Sequence, residues 1–319
     1  MSGGPAAARA AREPTPSRYP HVLPRLLAAT RPAFLSITAV AVLLGLASAA
    51  ADGIAIAPAR ACVAALFALV AHAAGNLLND YHDALNGSDA ANHARRFPFT
   101  GGSRFIQNGV LTAASVARLA YLLLASVVVA GAWLVAVSGG GLLAIGLLGL
   151  ALAWGYSAPP LALMNRGVGE AVVALAWLLV VVGTDYVQRG GFAATPWWVG
   201  LAYALHVAGV LGVNAFPDCA ADAAAGKRTL AVRLGARRGR GLYAVLVLPA
   251  YAWLAFAVTR GALPWTVVLA GLGLPPALLA ARGLWRHAAQ PAVLDRTIVA
   301  AILAAHVHGL ALAAALLLG

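Results

Sequence analysis

Two sets of residues have the types and spacing for chemistry: Asn76, Asp80 and Asp83 in one stretch, and Asn214, Asp218 and Asp222 in another. A four-residue step advances a helix by only about 40° around its axis, so each set forms an oxygen-rich stripe. The first stretch runs on into Gly87-Ser88-Asp89, and the second into Gly226-Lys227-Arg228-Thr229-Leu230. The chain has ten acidic residues, and five of them fall in these two stretches. Each stretch closes an otherwise apolar segment, where carboxylates are costly unless a cation sits on them. Two facing sets of hard oxygen donors suit Mg²⁺, which shares its shell with water and substrate phosphates. Solvated helix ends would not need the repeated spacing.

The elements that must position these stripes are membrane helices. Of 319 residues, 62% are hydrophobic and only 10% are charged, against about 25% charged in a soluble domain. The net charge of +12 does not mark a nucleic-acid binder, because the basic residues lie between apolar segments and read as orientation signals. The apolar runs predict an all-α, polytopic fold with nine spans, near 33–51, 61–80, 112–137, 140–157, 167–185, 197–216, 240–258, 264–281 and 296–317. Residues 1–24 read as a flexible cytoplasmic tail, and 25–319 as one transmembrane domain. The first apolar run starts near Ala33, too late for a cleaved signal peptide. Cys62 and Cys219 are expected near opposite membrane faces, so no disulfide is expected between them, and they have no zinc-site spacing.

Nineteen of the 22 Lys and Arg residues fall on one side of this nine-span arrangement, leaving Arg60, Arg189 and Arg260 on the other. The positive-inside bias puts the N-terminus in the cytoplasm and the C-terminus outside. Both stripes then end at the cytoplasmic face, on spans two and six. That offset predicts two related four-helix halves plus a ninth helix, with a site between the halves.

With both stripes at one face, the chain resembles the UbiA-type membrane prenyltransferases. The resemblance runs from Arg31-Pro32 to the last span. It is carried by Asn76-x3-Asp80 with Asp83, and by Asn214-x3-Asp218-x3-Asp222 continuing through Arg233-Leu234-Gly235. Asn76-Leu-Leu-Asn79-Asp80-Tyr-His-Asp83, Tyr156-Ser-Ala-Pro-Pro-Leu161 and Arg166-Gly-Val-Gly-Glu170 look most like the branch that prenylates 1,4-dihydroxy-2-naphthoate in menaquinone synthesis. The resemblance implies transfer of a polyprenyl group from a polyprenyl diphosphate to an aromatic acceptor through an allylic carbocation, at a bacterial inner membrane. It implies that Asp80, Asp83, Asp218 and Asp222 are catalytic and, with Asn76 and Asn214, hold Mg²⁺. Lys227, Arg228, Arg166, Arg104 and Arg31 are the expected diphosphate contacts. Asn79, Tyr156 and Asp89 are the expected substrate contacts. The acceptor stays open between dihydroxynaphthoate, 4-hydroxybenzoate and another ring.

Some residues stand apart from this pattern. Pro217 lies inside the second stripe, where it removes a backbone donor and is expected to kink the helix. The loop Phe97-Pro-Phe-Thr-Gly-Gly-Ser-Arg104 is worded differently from many relatives. Asp185, near the outer face, has no assigned role. Glu170 is expected to pair with a nearby base. His72, His206, His306 and His308 are expected to be packing residues. An ion-coupled transporter would place carboxylates near the bilayer midplane, whereas both stripes sit at one face; a non-catalytic lipid binder would not need duplicated carboxylates. The charge split gives a direct test: a reporter active only outside the cytoplasm, fused after Gly319, should be active there and silent in the loop after the second span.

Overall fold

A computed structural model describes residues 12–319, so residues 1–11 of the expected tail lie outside the described residues. Every regular element among the described residues is a helix. In chain order these are α1 (Val22–Ala29), α2 (Pro32–Ala51), α3 (Pro58–Asn86), α4 (Ser88–Ala91), α5 (Ala113–Ser138), α6 (Gly141–Gly155), α7 (Gly169–Arg189), α8 (Thr195–Ala224), α9 (Leu230–Gly239), α10 (Leu242–Thr259), α11 (Leu274–His287) and α12 (Asp295–Leu318). Proline stands in the first turn of α2, α3 and α8, where its missing N–H costs nothing. Thr112 and Thr229 cap α5 and α9 with their side-chain oxygens, which satisfies one orphan donor each.

Among the described residues, eight segments are long and apolar enough to cross a membrane: α2, α3, α5, α7, α8, α10, Trp265–His287 and α12. The expected fourth span is shorter than predicted, because α6 has 15 residues and extends only about 22 Å. Its end is set by Pro159-Pro160, since the residue before a proline disfavours helix. The expected eighth span also changes form. Trp265–Gly273 is a 3-10 helix and α11 begins only at Leu274, where Pro275 and Pro276 lack the donors that would continue an α-helix backwards. Pro217 lies inside α8 without ending it.

The core is centred on α8, the most enclosed of the spans. Val199, Tyr203, Val207 and Val213 of α8 pack with Leu44 of α2, Tyr243 and Val247 of α10, and Ile298 and Leu312 of α12. The buried Tyr203 hydroxyl donates to the Ile37 carbonyl at 2.7 Å, which satisfies that polar group inside the core. His206 and His308 belong to the same core, with rings stacked 3.9 Å apart. On the other side of the bundle, α3, α5, α6 and α7, with one face each of α2 and α8, line a cavity.

At the end of the bundle away from the stripes, Arg189 bonds Asp185 at 2.9 Å and Asp52 at 2.6 Å. Thr195 also donates to Asp52, and Gln188 accepts from the Ala57 N–H. Asp185 therefore has a structural role: it holds the arginine that ties the α2–α3 turn to the α7–α8 end. Near the middle of the bundle, α2 and α7 touch at Gly45, where a Cβ would lie 2.5 Å from the Val181 carbonyl oxygen and 2.7 Å from Thr184 Cβ. Gly45→Ala should force the two helices apart at a cost of about 1–3 kcal/mol, read as a lower thermal midpoint of the purified protein. Gly191→Ala, with nothing within 4 Å of the new Cβ, should leave the midpoint unchanged.

Candidate active site

The two stripes end side by side, and one buried cation joins them. Gly226 takes the left-handed conformation at φ 78°, and the Lys227 N–H bonds back to the Asp222 carbonyl at 2.9 Å. This reversal turns Lys227 inward, where it is only 3% exposed. Its ammonium lies 2.5 Å from Asp83 of α3 and 3.1 Å from Asp222 of α8. Burial disfavours the ammonium, but Asp83 and Asp222 outweigh that and hold its pKa above the ordinary lysine value. Lys227 is thus not a freely swinging neighbour of Arg228, which is exposed.

The other carboxylates are met by the loop 92–112 between α4 and α5. The Ser103 N–H donates to both Asp80 oxygens at 3.2 Å. Asn92 donates to one Asp218 oxygen at 2.5 Å and the Gly101 N–H to the other at 3.3 Å. Gln107 donates to Asp89 at 3.3 Å. Burial, with Asp83 and Asp80 nearby, pushes the Asp89 carboxyl up to about 8, because like charges in a low-dielectric site resist ionising together. Asn79 donates to Asp83 at 3.2 Å and also reaches Ser157 and the Met164 sulfur. Asn76 donates to the Thr30 carbonyl at 3.0 Å. The Asn214 Oδ1 is buried without a hydrogen-bond partner among the described residues.

These groups stand at one end of a cavity of about 730 Å³. Arg31, Asn76, Asn79, Asp83, Asp89, Tyr156, Asn214, Asp218, Asp222 and Lys227 all line it. Asp80 sits just behind this wall, under Gly102. Arg31 reaches the Phe99 carbonyl at 3.2 Å and lies over the Phe34 ring. Away from the polar end the lining is apolar, formed by residues such as Phe67, Ala71, Leu134, Val135, Ile145 and Leu152. Three expected contacts lie elsewhere. Arg104 is buried and donates to the Asp89 carbonyl; Arg166 donates to the Pro160 carbonyl; Arg228 uses its own carbonyl to hold Arg233. Glu170 is buried in the first turn of α7 with no ion-pair partner among the described residues, so the expected base is absent and the favourable helix N-terminus takes its place. His72 lines the cavity and bonds Thr38 at 2.8 Å; His206 does not line it and is held by Tyr251 and the Ala202 carbonyl.

Among the described residues, no three His, Cys, Asp or Glu side chains converge as a ready-made metal cage. The ammonium of Lys227 and the amides of the capping loop occupy the positions between the carboxylates. This donor set still fits Mg²⁺, which is commonly bound through one or two carboxylates, water and the phosphates of the substrate rather than by an all-protein cage. The residues missed from sequence are Asn92, Gly101, Gly102 and Ser103. Only the Gly101-Gly102 pair carries a signal: Gly102 has φ 72°, and a Cβ there would strike the Asp89 carboxylate and come within 3.1 Å of Asp80. Gly102→Ala should therefore lower turnover at least about a hundredfold, the scale of misplacing groups that position a reaction. Lys227→Met should also destabilise the protein by about 3–5 kcal/mol, as when one partner of a buried ion pair is removed. Arg166→Ala and Arg228→Ala should change both quantities little.

Residues 37–297 match the UbiA prenyltransferase family. A 1,4-dihydroxy-2-naphthoate octaprenyltransferase of Mycobacterium tuberculosis is 36% identical over 213 residues, 65% of this chain and 68% of that protein. One of Haemophilus influenzae is 31% identical over 223 residues, 67% of this chain and 70% of that protein. In structure, the chain is similar to a UbiA homolog from Archaeoglobus fulgidus bound to GPP and Mg²⁺, with a TM-score of 0.58 at 15% identity over 91% of this chain and 99% of that one. It is also similar to a digeranylgeranylglyceryl phosphate synthase, with a TM-score of 0.60 at 14% identity over 93% and 99% of the two chains. The family match covers most of the chain and both carboxylate stripes, and this chain belongs to the UbiA prenyltransferase family and is a prenyltransferase.

Proposed function

We propose that this prenyltransferase transfers a polyprenyl group from its diphosphate to 1,4-dihydroxy-2-naphthoate, with Mg²⁺ as cofactor. The observation that carries the reading is the meeting of the two carboxylate stripes at the polar mouth of an otherwise apolar cavity. The cavity suits a substrate with a multiply charged head and a long apolar tail. Asn76, Asp80, Asp83, Asn214, Asp218 and Asp222 would hold Mg²⁺, with Asp89 beside them. Bound Mg²⁺ supplies neutralisation of the charge that develops on the leaving diphosphate. Lys227, fixed between the stripes, and Arg31, on the cavity wall, present positive charge to the same oxygens. When the allylic C–O bond breaks and the diphosphate leaves, the apolar walls and the loop 92–112 keep water from the carbocation; an electron-rich ring carbon attacks it to form the new C–C bond, and the ring regains aromaticity by releasing that carbon's proton or its carboxyl group as CO₂. Asn79 and Tyr156 line the cavity beside that ring.

The naphthoate acceptor rests on the relatives' printed activity and on the wording of the first motif. The same reading gives the chain nine spans, with α6 as a short one, in two four-helix halves. It places the N-terminus and the carboxylate end in the cytoplasm of a bacterium. Asp80→Asn and Asp218→Asn each remove one charge while keeping size. Each should lower turnover by about two orders of magnitude or more in purified protein assayed across a Mg²⁺ titration with labelled prenyl diphosphate and candidate acceptors. Near wild-type turnover of both variants would sink the carboxylate site. Product from 4-hydroxybenzoate but not from the naphthoate would reassign the acceptor.

A further inference from the structure

The segment 12–20 lies against the loop 92–112, and one side chain makes the connection. Glu13 accepts from Arg95 Nε at 2.7 Å with one oxygen. Its other oxygen accepts from Asn108 at 3.2 Å and stands 3.8 Å from Arg104 Nε. Asn108 also donates to the Pro14 carbonyl at 2.9 Å, and the Tyr19 ring packs on Phe105 with centroids 5.1 Å apart. Arg95, Arg104 and Asn108 all belong to the loop that meets the carboxylates.

Two short chains of contact lead from Glu13 to the site. Arg95 donates to the Asn92 carbonyl at 2.6 Å, and Asn92 in turn donates to Asp218. The Arg95 side chain also lies across Gly101, where a Cβ would be 2.6 Å from Arg95 Cβ, and the Gly101 N–H donates to Asp218. By the second route, Arg104 donates to the Asp89 carbonyl while holding the left-handed conformation at φ 67°, one residue after the Ser103 N–H that meets Asp80. Arg95 and Arg104 repel each other across this loop, and Glu13 supplies the carboxylate between them. It is half-buried, and its bond to Arg95 keeps its carboxyl below the usual range despite that burial.

We propose that Glu13 is a positioning residue: the segment 12–20 straps the loop 92–112 in place, so that its backbone donors stay on the carboxylates and the loop keeps water from the reacting carbon. This inference rests on the carboxylate site being the diphosphate site. A strap with this role acts on substrate binding and on water exclusion, whereas a fastening that only aids folding acts on stability.

The test uses the full chain, purified in detergent, with Glu13→Ala, Glu13→Gln and, as a control on the site, Asp80→Asn. Four quantities are measured: KM for the prenyl diphosphate, kcat, the fraction of prenyl alcohol formed by water capture, and the thermal midpoint. Glu13→Ala should raise KM about tenfold, the scale of losing a charge-assisted hydrogen bond, and should raise the alcohol fraction. Glu13→Gln keeps an acceptor oxygen but loses the charge, and should fall between. Unchanged KM and alcohol fraction in the Glu13 variants, beside an inactive Asp80→Asn, would overturn the strap alone. An active Asp80→Asn would overturn the site reading instead. If Glu13→Ala does not fold, the nearly isosteric Glu13→Gln decides by the same two readouts.

Discussion

Buried negative charge is the constraint around which the rest of this protein is arranged. Five carboxylates stand at one end of an apolar bundle, four of them on two spans and Asp89 on the short helix between. Such a group is costly in a low-dielectric setting unless each member is paired or bonded. The chain meets the demand in three ways. Lys227 bridges Asp83 and Asp222, backbone and amide N–H groups of the loop 92–112 serve Asp80 and Asp218, and Asp89 shifts toward its neutral form. The bridge also joins α3 to α8, so the electrostatic solution is at the same time a tie between the cavity side of the bundle and its packed core.

That division into a packed side and a hollow side follows from side-chain size. Around α8 the facing residues are Tyr, Val, Leu and Ile, and they fill the space between helices. On α3, α5 and α6 the residues facing inward include Ala68, Ala71, Gly75, Gly131, Gly146 and Gly149. Small side chains there leave volume that a water-filled soluble core could not keep empty of polar partners, but that a hydrocarbon chain can occupy without loss. The same helices expose Leu66, Leu122 and Leu148 on their outer faces, as a lipid-facing surface does.

Much of this was legible in the sequence, and the reason differs from element to element. The stripes were readable because helical spacing converts directly into a shared face, and the spans because length and hydropathy suffice. Lys227 was expected beside the diphosphate, but its ion pairs with Asp83 and Asp222 were not readable, because only the left-handed turn at Gly226 sends it inward between them. Gly101 and Ser103 were illegible as ligands because a backbone N–H belongs to every residue type and its aim is set by the path of the loop, which also decides where the Asn92 side-chain amide points. The short α6 and the 3-10 entry to α11 were in principle readable from Pro159-Pro160 and Pro275-Pro276, but hydropathy alone hides a change of backbone inside an apolar run. The partner of Asp185 could not be read as catalytic or structural until Arg189 and Asp52 were seen to close on it.

The two ends of the bundle handle charge in opposite ways, and the difference gives the cavity a direction. At the end near Asp185, the arginine and both carboxylates satisfy one another, and Ala64, Leu134, Leu142, Tyr186 and Val187 pack together beside them. Asp185, Arg189 and Asp52 thus leave no charge of that cluster unpaired. At the other end Asn214 Oδ1 has no partner among the described residues, Arg31 meets carbonyl oxygens and the Phe34 ring rather than a carboxylate, and Asp80 and Asp218 are held by loop donors rather than by a fixed cation. On the proposed function, a diphosphate carrying its own metal would take the place of the loop amides at the carboxylates. It could not displace a closed arginine–carboxylate cluster without leaving buried charges unpaired. On the proposed function, a reactant with one polar and one apolar end would enter in a single orientation, head at the stripes and tail toward Leu134 and Leu142, with the reacting carbon at the boundary between the two linings.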